Sequence, residues 1–237
     1  MTGKQNDRGD IAKLIGIAAV AFSALYFVSD LIELIHGGFS TFQLVLTYAA
    51  EAAIPLFVLG LYAVQRPQIG WLGLIGALAY AYTFVYFTST VVYALVDHTT
   101  DWDSLKTQLG AALTVHSVLM VLAGVTFGVA VMRAHVLPRW TGITLILGMA
   151  LMIVTAGLPD ATRTMAAGVR DLAFAGMGVS LLRRPRSIQT VATARRRRHT
   201  EATRQSRPTS TVATSQMAHA KGDHAPPTEL PLPLTKV

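Results

Sequence analysis

"TYAAEAAIPLFVLGLY", residues 47–62, consists almost wholly of side chains suited to hydrocarbon, yet it carries one carboxylate, Glu51, four residues ahead of a proline, Pro55. With its flanks it forms an apolar run over 41–64, long enough for a helix to cross a hydrocarbon layer about 30 Å thick. The same reading applies near 12–35, 71–96, 107–132, 139–158 and 161–182. Of 237 residues, 52% are hydrophobic and only 14% charged, and the mean hydropathy is +0.46. Such a composition lies outside the usual soluble range. The predicted fold is all-α, a six-transmembrane-helix bundle over 11–182, with a short N-terminal segment 1–10 and a tail 183–237.

Lys4, Arg8 and Lys13 precede the first span, and Ala19, Ala21 and Ser23 can mimic a signal-peptide cleavage site. Apolar residues continue through Leu34, however, well past a signal h-region of about 7–15 residues, so a membrane span is the expectation. There is no cysteine, which excludes disulfides and thiolate chemistry. Basic residues in short loops set topology. Lys4, Arg8, Lys13, Arg66, Arg133 and Arg139 cluster on one side, whereas "HGGFST", "DHTTDWDSLK" and "GLPDATRT" on the other are poor in base. Both termini are therefore predicted cytoplasmic, in a plasma (inner) membrane.

After Leu182 the sequence changes to "RRPRSIQTVATARRRRHTEATRQSRPTS". Residues 183–237 hold eleven Lys or Arg against three acids, whereas 11–182 hold seven against eight. A segment this polar cannot bury enough apolar surface to offset its ordering entropy and is predicted disordered. Arg195, Arg196, Arg197 and Arg198 are expected on anionic lipid headgroups at the membrane surface, at about 1 kcal/mol per base. No nucleic-acid partner is expected.

Gly37 and Gly38 can cap the first helix, Pro138 opens the fifth, and Thr100 with Asp103 reads as the cap of the fourth. Asp97, His98, Asp101 and Asp103 also have the chemistry of a divalent-ion site, but the cap is the preferred reading and no metal is assigned. Trp71, Trp102 and Trp140 fall at predicted interfaces. Gly124 and Gly128 form a GxxxG, a close-packing pattern silent about function.

Depth is the informative quantity for the ionisable residues. Counted from the outer ends at about 1.5 Å per residue, Glu51, His116, Arg170 and Asp171 all lie roughly 13–15 Å deep. In the first helix Ser23, Tyr26, Asp30 and Glu33 share one face. Thr83, Tyr86, Thr90, Tyr93 and Asp97 form a stripe in the third, and Gln43 and Thr47 lead down to Glu51 in the second. Together these faces would line a funnel open to the outside.

Asp30, Glu33, Glu51 and Asp171 outnumber the bases at their level. An ionised group at the bilayer centre costs about 2.5–3.5 kcal/mol even on the lenient insertion scale. The surplus carboxylates must be protonated, hydrated or neutralised by a bound cation. Pro55 has no N–H, so the carbonyl of Glu51 loses its helical donor, and this hinge places a bare carbonyl beside a carboxylate. The competing reading pairs Glu51 with Arg170 and Asp171 with a protonated His116 as struts between helices.

"EAAIPLFVLGLYAVQRP", "VLPRWTG" and "GLPDATRTMAAGVRDLAFAGMGVSLL" resemble uncharacterised multi-pass membrane proteins of bacteria. The resemblance covers about residues 11–182 and implies six helices and an inner-membrane location, with no activity. None of these strings is a catalytic motif, and no cofactor is assigned. Three function classes remain. The most specific is a proton- or cation-linked transporter or sensor using Glu51, His116, Arg170, Asp171, Asp30 and Glu33. The second is an accessory or scaffold protein with an unknown protein partner, and the third an intramembrane enzyme acting on a lipid.

Overall fold

The computed structural model describes residues 3–183, with side chains from residue 9 onward; residues 184–237, including Arg195 to Arg198, lie outside the described residues. Six helices follow one another: α1 (Gly3–His36), α2 (Thr41–Val64), α3 (Gly70–Val96), α4 (Trp102–Ala134), α5 (Arg139–Val154) and α6 (Asp160–Leu182). There is no strand among the described residues. α1 (from Gly9), α2, α3, α4 and α6 are long and apolar enough to cross a membrane. α5 ends at Val154, short of the predicted 158, and its 16 residues span only about 24 Å. Thr155 is its C-cap, with N–H and hydroxyl both on the Leu151 carbonyl (2.8 Å each), after which Gly157 and Pro159 carry the chain into α6.

Each helix packs against its neighbours in the chain, and α1 closes on α6, so the six form a ring. Outside stand bulky apolar side chains such as Leu14, Leu56, Ile75, Val85, Leu122, Leu147 and Leu172. Inside are Gln43, Thr47, Glu51, Arg170 and Asp171. A bundle that exposes its hydrophobes and buries its charges inverts the soluble pattern. The architecture is compatible with a multi-pass membrane protein.

Where lipid surrounds helices, close packing and interhelical hydrogen bonds hold them together, since burial from water no longer distinguishes one contact from another. Glycines supply the closeness here. At the α1–α6 seam a Cβ on Gly16 would stand 2.9 Å from the Gly178 carbonyl oxygen, and one on Gly178 would stand 2.6 Å from that of Gly16. The GxxxG pair serves the same purpose within the chain, with Gly124 against Met149 and Gly128 against Ile146 of α5.

α4 starts at Trp102, earlier than the predicted 107. Its cap is Asp101 rather than Thr100, because the Asp101 carboxylate accepts the Ser104 N–H at 2.8 Å and the Thr100 hydroxyl at 2.7 Å. These bonds hold the Asp101 carboxyl below the usual carboxylate range. α2 runs unbroken past Pro55; the backbone discontinuity lies in α4, where Gly110 has φ 51° and ψ −128°. Only glycine enters that region at little cost.

The end carrying the α1–α2, α3–α4 and α5–α6 connections is here called the far end, and the other the terminal end. At the far end Phe39 N–H donates to the Thr100 carbonyl (2.7 Å), tying two connections together.

Candidate functional site

Three helices bring polar side chains to one level. Tyr26 lies ten residues from the far end of α1, Glu51 ten residues into α2 and Arg170 ten residues into α6, each about 15 Å down its helix. Glu51, Arg170 and Asp171 are buried, at 4%, 2% and 5% exposure. α6 reaches this position by pressing against α5: a Cβ on Gly148 would come within 2.7 Å of the Arg170 backbone nitrogen.

Arg170 folds back on its own neighbour. Its Nε donates to Asp171 Oδ1 at 2.9 Å. Nη2 stands 2.9 Å from the same oxygen but is not aligned for a hydrogen bond. Successive residues on a helix point apart, and the pair forms because the long arginine stem curls round. The guanidinium lies over the Tyr26 ring, 4.6 Å from its centroid, and 5.8 Å from that of Phe84. At the other end of that ring, the Tyr26 hydroxyl donates to Glu51 Oε1 at 2.8 Å. A chain therefore runs from Asp171 through Arg170 and Tyr26 to Glu51, across α6, α1 and α2.

This arrangement corrects the pairing expected from sequence. Glu51 makes no ion pair with Arg170; the Tyr26 ring stands between them. His116 does not meet Asp171. Its ring stacks on Tyr86 (3.6 Å between centroids, 6° between planes), its Nε2 lies 3.2 Å from the Tyr82 hydroxyl and its Nδ1 lies 2.8 Å from the Ala112 carbonyl. Equal depth on two helices does not imply a shared face, and His116 belongs to the α3–α4 side of the ring.

Four buried polar atoms around the chain lack hydrogen-bond partners among the described residues: Glu51 Oε2, Asp171 Oδ2, Arg170 Nη2 and the hydroxyl of Tyr80, a residue with 0% exposure. Asp30, half-buried one turn above Tyr26, makes no hydrogen bond or ion pair among the described residues. It stands within electrostatic reach of Asp171, Arg170, Glu33 and Glu51. Around this level three carboxylates, Asp30, Glu51 and Asp171, accompany one guanidinium, Arg170; Glu33 lies nearer the far end, within electrostatic reach of Arg163.

Toward the far end a polar seam joins α1 to α2. Ser29 Oγ lies 2.6 Å from Thr47 Oγ1 and 3.1 Å from the Gln43 carbonyl. Gln43 Nε2 donates to Thr47 Oγ1 at 2.9 Å and to Glu33 Oε2 at 3.3 Å. α3 contributes no such lining. Thr83 and Thr90 spend their hydroxyls on the carbonyls of Tyr80 and Phe87, both at 2.8 Å, as helical threonines commonly do. Tyr86 goes to His116, and Asp97 accepts from Gln108 (3.0 Å). The polar side chains facing the interior toward the far end thus come from α1, α2 and α6 rather than from α3.

Toward the terminal end the interior is aromatic. Phe57 meets Phe174 at 5.6 Å, Phe174 meets Tyr80 at 5.5 Å, and Tyr80 meets Phe84 at 4.9 Å. Phe57, Phe174 and Tyr80 lie about 20 Å or more from the far ends of their helices, beneath the Tyr26–Glu51–Arg170 level. Their rings pack against one another there.

The acids of the α3–α4 connection are engaged separately. Asp97 accepts from Gln108, Asp101 caps α4, and Asp103 pairs with Arg163 across to α6 at 3.8 Å. Among the described residues no group of three or more His, Asp or Glu can hold a metal ion. In comparisons with protein families, curated proteins and solved structures, nothing matches this chain.

Proposed function

We propose that this is a multi-pass membrane protein whose buried carboxylate cluster takes up a proton or a cation, as part of a transporter or a sensor. The observation that carries the reading is Glu51: one oxygen is held by Tyr26, the other is buried without a hydrogen-bond partner, and the nearby positive charge, Arg170, is already bound by Asp171. Buried carboxylates in such surplus need a neutralising species. Protons and small cations supply one without enlarging the site.

The cluster lies on the far side of the aromatic layer and below Glu33 and Asp30, so access from the far end fits this reading. That end carries Glu33, Asp97, Asp101, Asp103 and Asp160, whereas Lys13, Arg66, Arg133, Arg139 and Arg183 gather at the terminal end. This asymmetry supports a cytoplasmic terminal end in a plasma membrane. Through-transport would require Phe57, Tyr80 and Phe174 to move, and sensing would not.

A scaffold function is the second reading, favoured by the Arg170–Asp171 pair and by the glycine contacts that lock α1 to α6 and α5 to α6. Proteoliposomes separate these readings. A transporter should show proton or cation flux that falls in Glu51→Gln, and flux unchanged by that substitution would remove Glu51 from the mechanism.

A further inference from the structure

At the terminal end, away from the carboxylate cluster, the α4–α5 connection and the last turn of α6 border an open recess of about 550 Å³. Its walls include His135, Leu137, Trp140, Val179, Ser180 and Arg183, and no acid lines it. Leu137, Val179 and the indole of Trp140 make the apolar part. Trp140 lies tight over α6, where a Cβ on Gly176 would overlap its ring.

The rim is cationic. Arg183, exposed at the C-cap of α6, makes no ion pair or side-chain hydrogen bond with a described residue, so none of its five guanidinium N–H groups is spent on one. Arg139 Nη2 donates to His135 Nε2. His135 in turn has Nδ1 2.8 Å from the Arg133 carbonyl, which makes Nδ1 the protonated nitrogen and leaves Nε2 to receive Arg139. The imidazole thus holds one guanidinium beside the cavity while most of its donors stay free. Ser180 adds nothing to the donor set, because its hydroxyl is given to the Gly176 carbonyl at 2.7 Å.

One guanidinium on the wall, Arg183, and a second beside it on His135, Arg139, with no carboxylate in the described lining and at the level where the helices leave their apolar stretches, match one amphiphile. We propose that this cavity binds an anionic membrane phospholipid, with its phosphate on Arg139 and Arg183 and an acyl chain along Leu137, Trp140 and Val179. Arginine forks fit phosphate oxygens in bidentate geometry, and basic recesses between helices suit anionic headgroups. The proposal is independent of the proton or cation reading.

The test uses the purified full chain in detergent, with the thermal midpoint followed as phosphatidylglycerol, phosphatidylcholine or inorganic phosphate is added. Phosphatidylglycerol should raise the wild-type midpoint, phosphatidylcholine much less, and inorganic phosphate not at all. Arg139→Gln with Arg183→Gln should weaken the apparent phosphatidylglycerol affinity by about tenfold or more. Arg66→Gln, which removes one positive charge at the same end but off the cavity, should leave it unchanged. Should the double variant be too unstable to assay, Val179→Phe narrows the slot without altering charge and should also weaken the lipid. The proposal is overturned if phosphatidylglycerol leaves the wild type unmoved, if the cavity variants respond like the wild type, or if Arg66→Gln loses as much. An equal response to inorganic phosphate would show a free-anion site instead.

Discussion

Tyr26 joins the two halves of the buried cluster, its ring beneath Arg170 and its hydroxyl on Glu51. Tyr26→Phe keeps the ring and removes the hydroxyl, leaving Glu51 without a hydrogen bond from any described residue. Stranding a buried carboxylate in this way should cost about 1–3 kcal/mol, read as a lower thermal midpoint in detergent; an unchanged midpoint would mean that water or an ion already satisfies Glu51. Asp101 offers a pH-dependent counterpart outside the membrane spans. Its carboxyl sits below its ordinary range because it caps α4. The stability it contributes is therefore present above the unfolded-state pKa and is lost as pH falls through the folded one. Asp101→Ala should lose about 1 kcal/mol at neutral pH and show a shallower loss on acidification than the wild type, which a thermal series from neutral to acidic pH would record. Depth along each helix, counted from sequence, placed Glu51 and Arg170 at one level. Their partners were not legible, because Tyr26 reads equally well as one member of a polar stripe and nothing in a single chain says that its ring lies between two charges. Tyr80 and Ser29 carried no signal that distinguished them from ordinary helix residues, although Ser29 sits three residues after Tyr26 and so shares part of its face.

At the scale of elements, the spans of α2, α3 and α6 follow directly from hydropathy and from Gly and Pro punctuation. α4 and α5 depart from the prediction for local reasons. Asp101 captures the start of α4 five residues upstream of the predicted 107, and Gly110 then permits a break that hydropathy does not register. α5 ends at Val154, with Gly157 and Pro159 just beyond, inside a run that is still apolar. Helix rotation was the quantity least available from sequence. His116 shows the consequence, expected from sequence at the depth of Asp171 yet stacked on Tyr86 at the α3–α4 seam. The α5–α6 crossing gives a direct test of how an element positions the site. In Gly148→Ala the new methyl would sit 2.7 Å from the Arg170 backbone nitrogen, so α6 must move away from α5 or shift along it. Overpacking of this kind costs about 1–3 kcal/mol, and here it should also displace the guanidinium from Tyr26. A midpoint equal to that of the wild type would show that the crossing is looser than the geometry requires.

On the scale of the whole molecule, the ring divides into a polar half toward the far end and an aromatic layer toward the terminal end. Phe174→Ala removes the ring that touches both Phe57 and Tyr80 and should cost about 3–5 kcal/mol as a large-to-small core change. If the layer is also a barrier, proteoliposomes of that variant should leak protons or cations that the wild type retains; equal tightness would assign the layer to packing alone. The central claim, however, concerns Glu51 as the seat of a proton or cation. The most direct measurement is the thermal stability of wild type and Glu51→Gln in detergent from about pH 5 to 8, a range that brackets ordinary histidine titration and lies above that of ordinary carboxylates, with and without sodium, potassium, magnesium or calcium. The account predicts that Glu51→Gln is about as stable as the wild type and that only the wild type responds to pH or to one of the cations. A mutant destabilised at every pH by about 3–5 kcal/mol, as expected when a buried charged partnership is broken, with no differential response to protons or cations, would contradict it and make Glu51 a structural strut.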